Sequence, residues 1–321
     1  MKFLITGCAG FIGFSITKRL LRKNTNEIIG VDIISDYYST DLKKKRLSIL
    51  KKNKNFKFIK QDLTKNKKIE TIFKKSNFDI VIHLAAQPGV RQSMKYPRKY
   101  YDSNITAFFN VLELSRKFKI RKILFASSSS VYGDNKSFPL IESFKRRPKN
   151  FYALTKCINE DMAEYYSKSY GMNIIGLRFF TVYGPYGRPD MLIWKLCENV
   201  FNNKKLKINN FGHHERDFTF IDDVVTMIEK IIKQHELTLF EIYNVCSNRP
   251  SKLKSILNNF DKFRKDKLQK NIQFQEFQSG DVIKTHGSHN KLKKKINSFF
   301  ITDIKKGILK TIKWFKKNYS N

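Results

Sequence analysis

The chain opens MKFLITGCAGFIGFSITKRL: a short apolar run, a turn containing Gly7, Gly10 and Gly13, and an amphipathic run behind it. A strand that turns straight into a helix while presenting bare backbone to an anionic ligand accepts little except glycine, because any side chain would occupy the ligand's volume. The helix N-terminus behind such a turn offers N–H groups and the positive end of a dipole, which suits a pyrophosphate. Phe11 and Ile12 sit at the same junction. By itself a GxxGxxG spacing is also compatible with a plain glycine-rich turn. Context strengthens it: the next strand candidate, EIIGVD, ends in Asp32, 25 residues after Gly7. A carboxylate there accepts hydrogen bonds from the adenosine ribose and repels a 2′-phosphate, so NAD is expected rather than NADP. Asp62, closing the third strand candidate, reads equally well as an adenine contact or as an ordinary loop residue.

The rhythm that follows the turn fixes the fold class. KFLIT, EIIGVD, FKFIKQD, FDIVIHLAA, RKILFASS and NIIGLRFF are strand candidates, separated by segments long enough for helices or return loops. Strands this apolar imply helices on both faces, hence an α/β architecture, a Rossmann-type doubly wound parallel sheet. From about residue 181 the pattern changes to turn-rich stretches such as VYGPYGRPD, ending in an amphipathic ITDIKKGILKTIKWFKKN. The expected organisation is a cofactor domain over residues 1–180 and a smaller, discontinuous C-terminal substrate lobe over 181–321, with parts of about 212–248 returning to the first domain.

Composition excludes more than it assigns. The net charge is +35, from 63 Lys and Arg against 28 Asp and Glu. The lysines are spread through every segment and interleave with Asn, Ile and Phe, and no zinc finger, basic zipper or RNP-type aromatic motif accompanies them. They read as solvated faces and composition bias, so no nucleic-acid partner is expected. Cys8, Cys157, Cys197 and Cys246 stand singly, without metal-ligand spacing, and read as reduced, mostly buried thiols; no metal is expected. The apolar start is too short for a signal peptide and no later run reaches membrane-spanning length, so a cytoplasmic protein without membrane insertion is expected.

The chemistry-bearing stretch is NFYALTK, residues 150–156. On a helix, Tyr152 and Lys156 share a face. A free phenol, with a pKa near 10, is a poor base at neutral pH, and a nearby ammonium favours the phenolate. The fifth strand candidate runs into SSSSVYG, residues 127–133, which sets hydroxyls at the carboxyl end of the sheet, where ligands of such folds bind.

TGCAGFIG, HLAAQPGVR, SSSSVYG, FYALTK, RFFTVYGPYGRPDM and RDFTFIDD, in this order and at these separations, resemble an extended short-chain dehydrogenase/reductase acting on nucleotide sugars; the pattern is most similar to that of UDP-glucuronate 4-epimerases. The resemblance is strong from residue 1 to about 235 and fainter through SGDVIKTHGS to the end. It implies that Tyr152 takes the proton of the sugar 4-hydroxyl, that Ser128 assists, and that Lys156 holds the nicotinamide ribose and tunes the tyrosine. It implies a cofactor wall made by Gly7, Gly10, Phe11, Ile12, Gly13, Asp32, Asp62, Leu63, Leu84, Ala86 and Lys156. It also implies a homodimer through helices around 100–118 and 152–170.

Substrate choice rests on fewer residues. Dehydratase relatives carry an Asp-Glu pair where this chain has Ser129 and Ser130, and UDP-glucuronate decarboxylases carry Glu in the slot of Ser130. A uronate oxidised at C4 is a β-keto acid that loses CO2 unless its carboxylate is held out of alignment with the ketone. The resemblance assigns the carboxylate to Thr181 and Arg188, an arginine fork being well matched to it, and faces Arg91 and Arg216 toward the sugar or diphosphate, beside Ser128 and Tyr152. Interconversion of UDP-glucuronate and UDP-galacturonate for a surface polysaccharide is the first reading. The alternatives are another UDP-sugar (an N-acetylhexosamine, its uronate, glucose or galactose) and a non-catalytic NAD-binding module with a basic partner-binding surface. Three departures from the pattern stand out: Asn150, where a small hydroxyl residue is usual; Cys8, uncommon inside the glycine turn but small enough for it; and THGS in place of TYAD, where His286 is expected as an exposed loop residue rather than a substrate contact.

Overall fold

A computed structural model describes residues 1–234, 239–261, 263, 271–278 and 282–319. Its strands are β1 (Lys2–Thr6), β2 (Glu27–Asp32), β3 (Phe56–Lys60), β4 (Ile80–His83), β5 (Lys122–Ser128), β6 (Ile174–Phe179), β7 (Thr181–Tyr183), β8 (Leu206–Ile208), β9 (Glu215–Phe220), β10 (Phe240–Val245), β11 (Pro250–Lys252) and β12 (Ile272–Phe274). The six strands expected in the first half are present. KFLIT and EIIGVD coincide with β1 and β2, whereas the third and fourth stop short of Gln61 and Leu84, where the chain leaves the sheet to line a cleft.

Seven of these strands form one sheet in the order β10, β6, β5, β4, β1, β2, β3, with every pairing parallel. Alternation along each strand decides which face each residue serves. Phe3, Ile5, Ile82, Leu124, Leu177 and Val245 pack with the helices Phe11–Leu20, Thr40–Leu50 and Ile221–Ile232. Leu4, Val81, Ile123, Phe125, Ile174 and Ile242 pack on the opposite face with Asn66–Lys74, Ala107–Lys117 and Phe151–Tyr170. Both faces are therefore covered, and the runs that read as uniformly apolar are those buried on two sides.

The strand order reverses beside β1, so a crevice opens at the carboxyl ends of β1 and β4. Beyond β6 the chain leaves the sheet to make a three-stranded sheet (β11, β9, β7) and a β12–β8 pair, and returns as β10 beside β6. Among its described residues this lobe shares the core of the sheet. Trp194, Phe218, Phe220, Phe260 and Phe315 belong to the same continuous apolar cluster as Phe3 and Ile5. The final helix, Ile304–Tyr319, packs Trp314, Phe315 and Tyr319 around Trp194. All four cysteines are buried free thiols. Among the described residues no helix is long and apolar enough to cross a membrane, and no group of metal-ligating side chains occurs.

One buried titratable group makes the fold sensitive to acid. His83, ending β4, is 2 % exposed, shares a 2.9 Å hydrogen bond between its Nδ1 and Thr6 Oγ1, and stacks near Phe108. Burial, with Lys156 nearby, depresses its pKa to about 3. The folded chain keeps it neutral while the unfolded chain protonates it below about 6.5, so its contribution is complete above that pH. The contribution is lost as pH falls from about 6.5 toward 3, at roughly 1.4 kcal/mol per unit. Urea unfolding of His83→Asn between pH 6 and 4 should show a stability slope shallower by about one proton; an unchanged slope would contradict this.

Candidate active site

The glycine turn is tight because helix and strand nearly touch. Gly7 has φ +71°, and a Cβ there would lie 2.7 Å from Ala85 N; a Cβ on Gly13 would lie 2.1 Å from the Gly7 carbonyl oxygen. Gly10 differs: a Cβ would meet only the Gly7 carbonyl within 4 Å and otherwise enter open space. That space is a cleft of about 1050 Å³. Gly7, Gly10, Phe11, Ile12 and Gly13 line it at one end, with Asp32, Asp62, Leu63, Leu84 and Ala86 along the wall. Ser128, Tyr152 and Lys156 lie further along, and Arg91, Thr181, Arg188 and Arg216 line its second-lobe side and rim. Every residue expected to bind cofactor or substrate or to move the proton thus borders one cavity.

Local structure explains each position. Asp32 Oδ2 accepts from Ala9 N (3.0 Å) and Oδ1 from Ile34 N (2.7 Å), which fixes the carboxylate while each oxygen keeps a lone pair. Asp62 accepts from both the backbone N and the hydroxyl of Thr64 at 2.9 Å, so it holds its own loop as well as bordering the cleft. Asn150 caps the helix Phe151–Tyr170: its backbone is extended and its Oδ1 accepts from Ala153 N at 2.9 Å. It performs the task of the hydroxyl residue it replaces.

Tyr152 sits in the first turn of that helix, its N–H donating to Ser93 Oγ (3.0 Å). Burial pushes its hydroxyl above the ordinary phenol pKa, while a hydrogen bond with Ser128 and the charge of Arg188 pull it back. Lys156, expected as the tuner, lies 5.9 Å from the Tyr152 ring centroid, and its ammonium donates to the Ala126 carbonyl (2.9 Å). Burial lowers its own pKa to about 8, opposed by Glu160 one turn on. In the protein alone, Ser128 and Arg188 are the groups that favour the phenolate. Glu160 is itself held by Arg178 through two bonds of 2.9 and 2.8 Å and accepts from Ser127 Oγ.

On the far side, Thr181 begins β7 and is half-buried. Arg188 is not an isolated cation: its Nε and Nη2 both bond the carboxylate of Asp190, and Tyr37 OH donates to Asp190 Oδ2 at 3.4 Å. Arg216 Nη1 donates to the carbonyls of Glu215 and Ile283, which set it along the edge of β9. Arg91 is exposed at the cleft's edge. His286 departs from the exposed reading: it is half-buried and hydrogen-bonds Asn248 Oδ1 at 2.9 Å because Gly287 and Ser288 beside it pack under the lobe. Ser279–Asp281, the start of SGDVIKTHGS, lie outside the described residues.

Several site residues carry no linear signal. Ser93 accepts from the Tyr152 N–H at the start of the helix Phe151–Tyr170, and Asn104 bonds both backbone groups of Gln87 and the Thr155 hydroxyl, tying the HLAAQPG loop to that helix. Tyr100 OH donates to the Pro88 and Gly89 carbonyls.

The sequence profile of the NAD dependent epimerase/dehydratase family matches residues 3–246. The chain belongs to that family. It is similar to the UDP-glucuronate 4-epimerase of Thermodesulfobacterium geofontis, 37 % identical over 318 residues, covering 98 % of this chain and 96 % of that one. In three dimensions it is similar to the UDP-glucuronic acid 4-epimerase of Bacillus cereus in complex with UDP-glucuronic acid and NAD, with TM-score 0.93 at 29 % identity, covering 99 % and 100 %. It is also similar to the UDP-glucose 4-epimerase of Thermotoga maritima with UDP-glucose, with TM-score 0.89 at 27 % identity, covering 99 % of each chain. The family's cofactor is NAD, and the cleft fits it: open backbone at Gly10, a helix start whose first turn holds no acidic residue, and a fixed carboxylate at Asp32.

If Asn150 acts as the helix cap, Asn150→Ala lowers stability by about 1 kcal/mol and Asn150→Ser leaves it nearly unchanged. Chemical denaturation midpoints of the two variants check this; equal losses would deny the cap its role.

Proposed function

We propose that this NAD-dependent UDP-sugar 4-epimerase acts on a UDP-uronic acid, interconverting UDP-glucuronate and UDP-galacturonate through a 4-keto sugar. The observation that supports the substrate class is that Arg188, its fork fixed by Asp190, lines the same cleft as Tyr152 and favours the charged form of the tyrosine hydroxyl. The carboxylate carbon of a hexuronate is only two bonds from C4, as the substituent on the neighbouring ring carbon C5, so a cation next to the C4 base suits an acid sugar. Asp190 occupies two of the five N–H groups of Arg188, and the remainder can fork onto a substrate carboxylate.

The glycine turn and Asp32 would hold the cofactor's diphosphate and ribose, with Asp62, Leu63, Leu84 and Ala86 along its length and Lys156 at the nicotinamide ribose. Bound there, NAD supplies the acceptor, and then the donor, of the C4 hydride. Tyr152 takes the 4-hydroxyl proton, with Ser128 bonded to it as the short relay, and returns the proton to the C4 oxygen once the keto sugar has turned to present its opposite face to the hydride. Thr181 and Arg188 hold the carboxylate away from alignment with the C4 ketone, which suppresses loss of CO2. Ser129 and Ser130 put no carboxyl group where elimination would need one, and Ser130 instead bonds Ser128 (3.1 Å). Arg216 and Arg91 face the diphosphate. A neutral UDP-hexose is the second reading, favoured by the likeness to the UDP-glucose epimerase.

A homodimer follows from the same helices that build the site. Tyr101, Phe109, Leu154, Tyr165 and Tyr170 are exposed there, and Phe109 packs edge-on to Tyr166 between the two helices, leaving an apolar face suited to a second copy. Light scattering should give twice the monomer mass, reduced to the monomer by Phe109→Asp with Tyr165→Asp. A monomeric parent chain would refute the assembly.

Incubating the protein with NAD and a panel of UDP-sugars tests the reaction. UDP-glucuronate should invert at C4 with little CO2. Tyr152→Phe should lose roughly 10³-fold or more in turnover while retaining NAD, and Arg188→Ala should lose at least tenfold for the uronate and release more CO2. Equal turnover of UDP-glucose and UDP-glucuronate by the parent protein would remove the uronate assignment.

A further inference from the structure

Arg46, in the helix Thr40–Leu50, has no solvent exposure. A buried guanidinium is costly unless its N–H groups are used. Its Nη1 donates to the carbonyl of Ala9 inside the glycine turn (2.8 Å) and to the Tyr38 hydroxyl (2.7 Å). Its Nη2 donates to the carbonyls of Tyr186 (2.7 Å) and Gly187 (2.9 Å), the two residues before Arg188. These four acceptors are uncharged, so what the fork gains is geometry: one rigid plane spans the cofactor turn at one end and the arginine loop at the other. The neighbouring Tyr37 reaches the same loop through Asp190, the carboxylate that holds Arg188. Tyr186 is itself clamped between Phe14 (4.8 Å) and Trp314 (4.7 Å) with φ +59°, so the loop has little other slack.

We propose that Arg46 is a positioning residue that mounts the Arg188 loop on the glycine turn, so that Arg188 stands at a fixed place beside Tyr152 and the acid group of the nucleotide sugar. This rests on the uronate reading above for the identity of that group. The segment between β2 and β3 thereby acts as a specificity element without touching the sugar. Cofactor turn and carboxylate ligand form one rigid unit across the cleft.

The test uses Tyr152→Phe protein, which blocks turnover, saturated with NAD and titrated calorimetrically with UDP-glucuronate and UDP-glucose. Arg46→Lys keeps the charge but presents its donors from one atom and cannot span both loops. It should weaken UDP-glucuronate about tenfold, within the range of coupled neighbouring residues, leave UDP-glucose within about twofold, and add nothing to the loss caused by Arg188→Ala. Equal weakening of both sugars, or losses at Arg46 and Arg188 that multiply, would overturn the proposal. Tyr38→Phe, which removes one acceptor and spares the charge, should shift the same preference in the same direction more mildly, and it carries the test if Arg46→Lys does not fold. If the protein with Arg46 intact binds the two sugars alike, the uronate assignment fails by itself; the Arg46–Arg188 coupling is then judged on whichever UDP-sugar binds.

Discussion

The structure depends on a contact with no room in it. A β-carbon on Gly13 would lie 2.1 Å from the Gly7 carbonyl, so the first helix rests directly on the turn that precedes it. Ligand-sized space exists in front of the turn because it has been removed behind it. From that turn the Ala9 N–H reaches Asp32, the Ala9 carbonyl reaches Arg46, and Gly7 backs against Ala85 of the β4 loop. The cofactor wall, the segment after β2 and the loop carrying Arg188 are all placed by reference to these few backbone atoms.

The electrostatics of Tyr152 are set by opposing terms. Removing a phenolate from water is unfavourable, and burial alone would leave the hydroxyl more firmly protonated than that of free tyrosine. A serine hydroxyl and an arginine offset this in the protein by itself. Lys156 is lowered to about 8 by the same burial and spends its ammonium on a backbone carbonyl.

How much of this was legible in the sequence depends on whether a residue's partner lies nearby along the chain. The glycine turn, Asp32, Ser128 and the Tyr152–Lys156 pair announce themselves through spacing, because strand, turn and helix periods convert sequence distance into direction. All of the residues expected at the site border one cleft. What spacing could not show is partnership at long range. Asp190 against Arg188 is only two residues away but is hidden by a turn of unpredictable shape, and Asn104, Ser93 and Arg46 bind backbone groups, which every residue has and none advertises. His286 reads as an exposed loop residue in the sequence, whereas Gly287 beside it is buried against Phe180 and Cys246, and His286 is half-buried with it.

The return of the chain as β10 has a consequence for how the sugar can move. The second lobe leaves the sheet after β6 and is sewn back in beside it, and the apolar cluster of the sheet continues into the lobe without a break. Swinging such a lobe as a body would break apolar contacts that run from the sheet into it. On the proposed reaction, a keto sugar that shows its opposite face to Tyr152 would turn between walls tied to the sheet, and the rotation would fall to the torsions of its own diphosphate tether, the protein serving as a socket around a swivel.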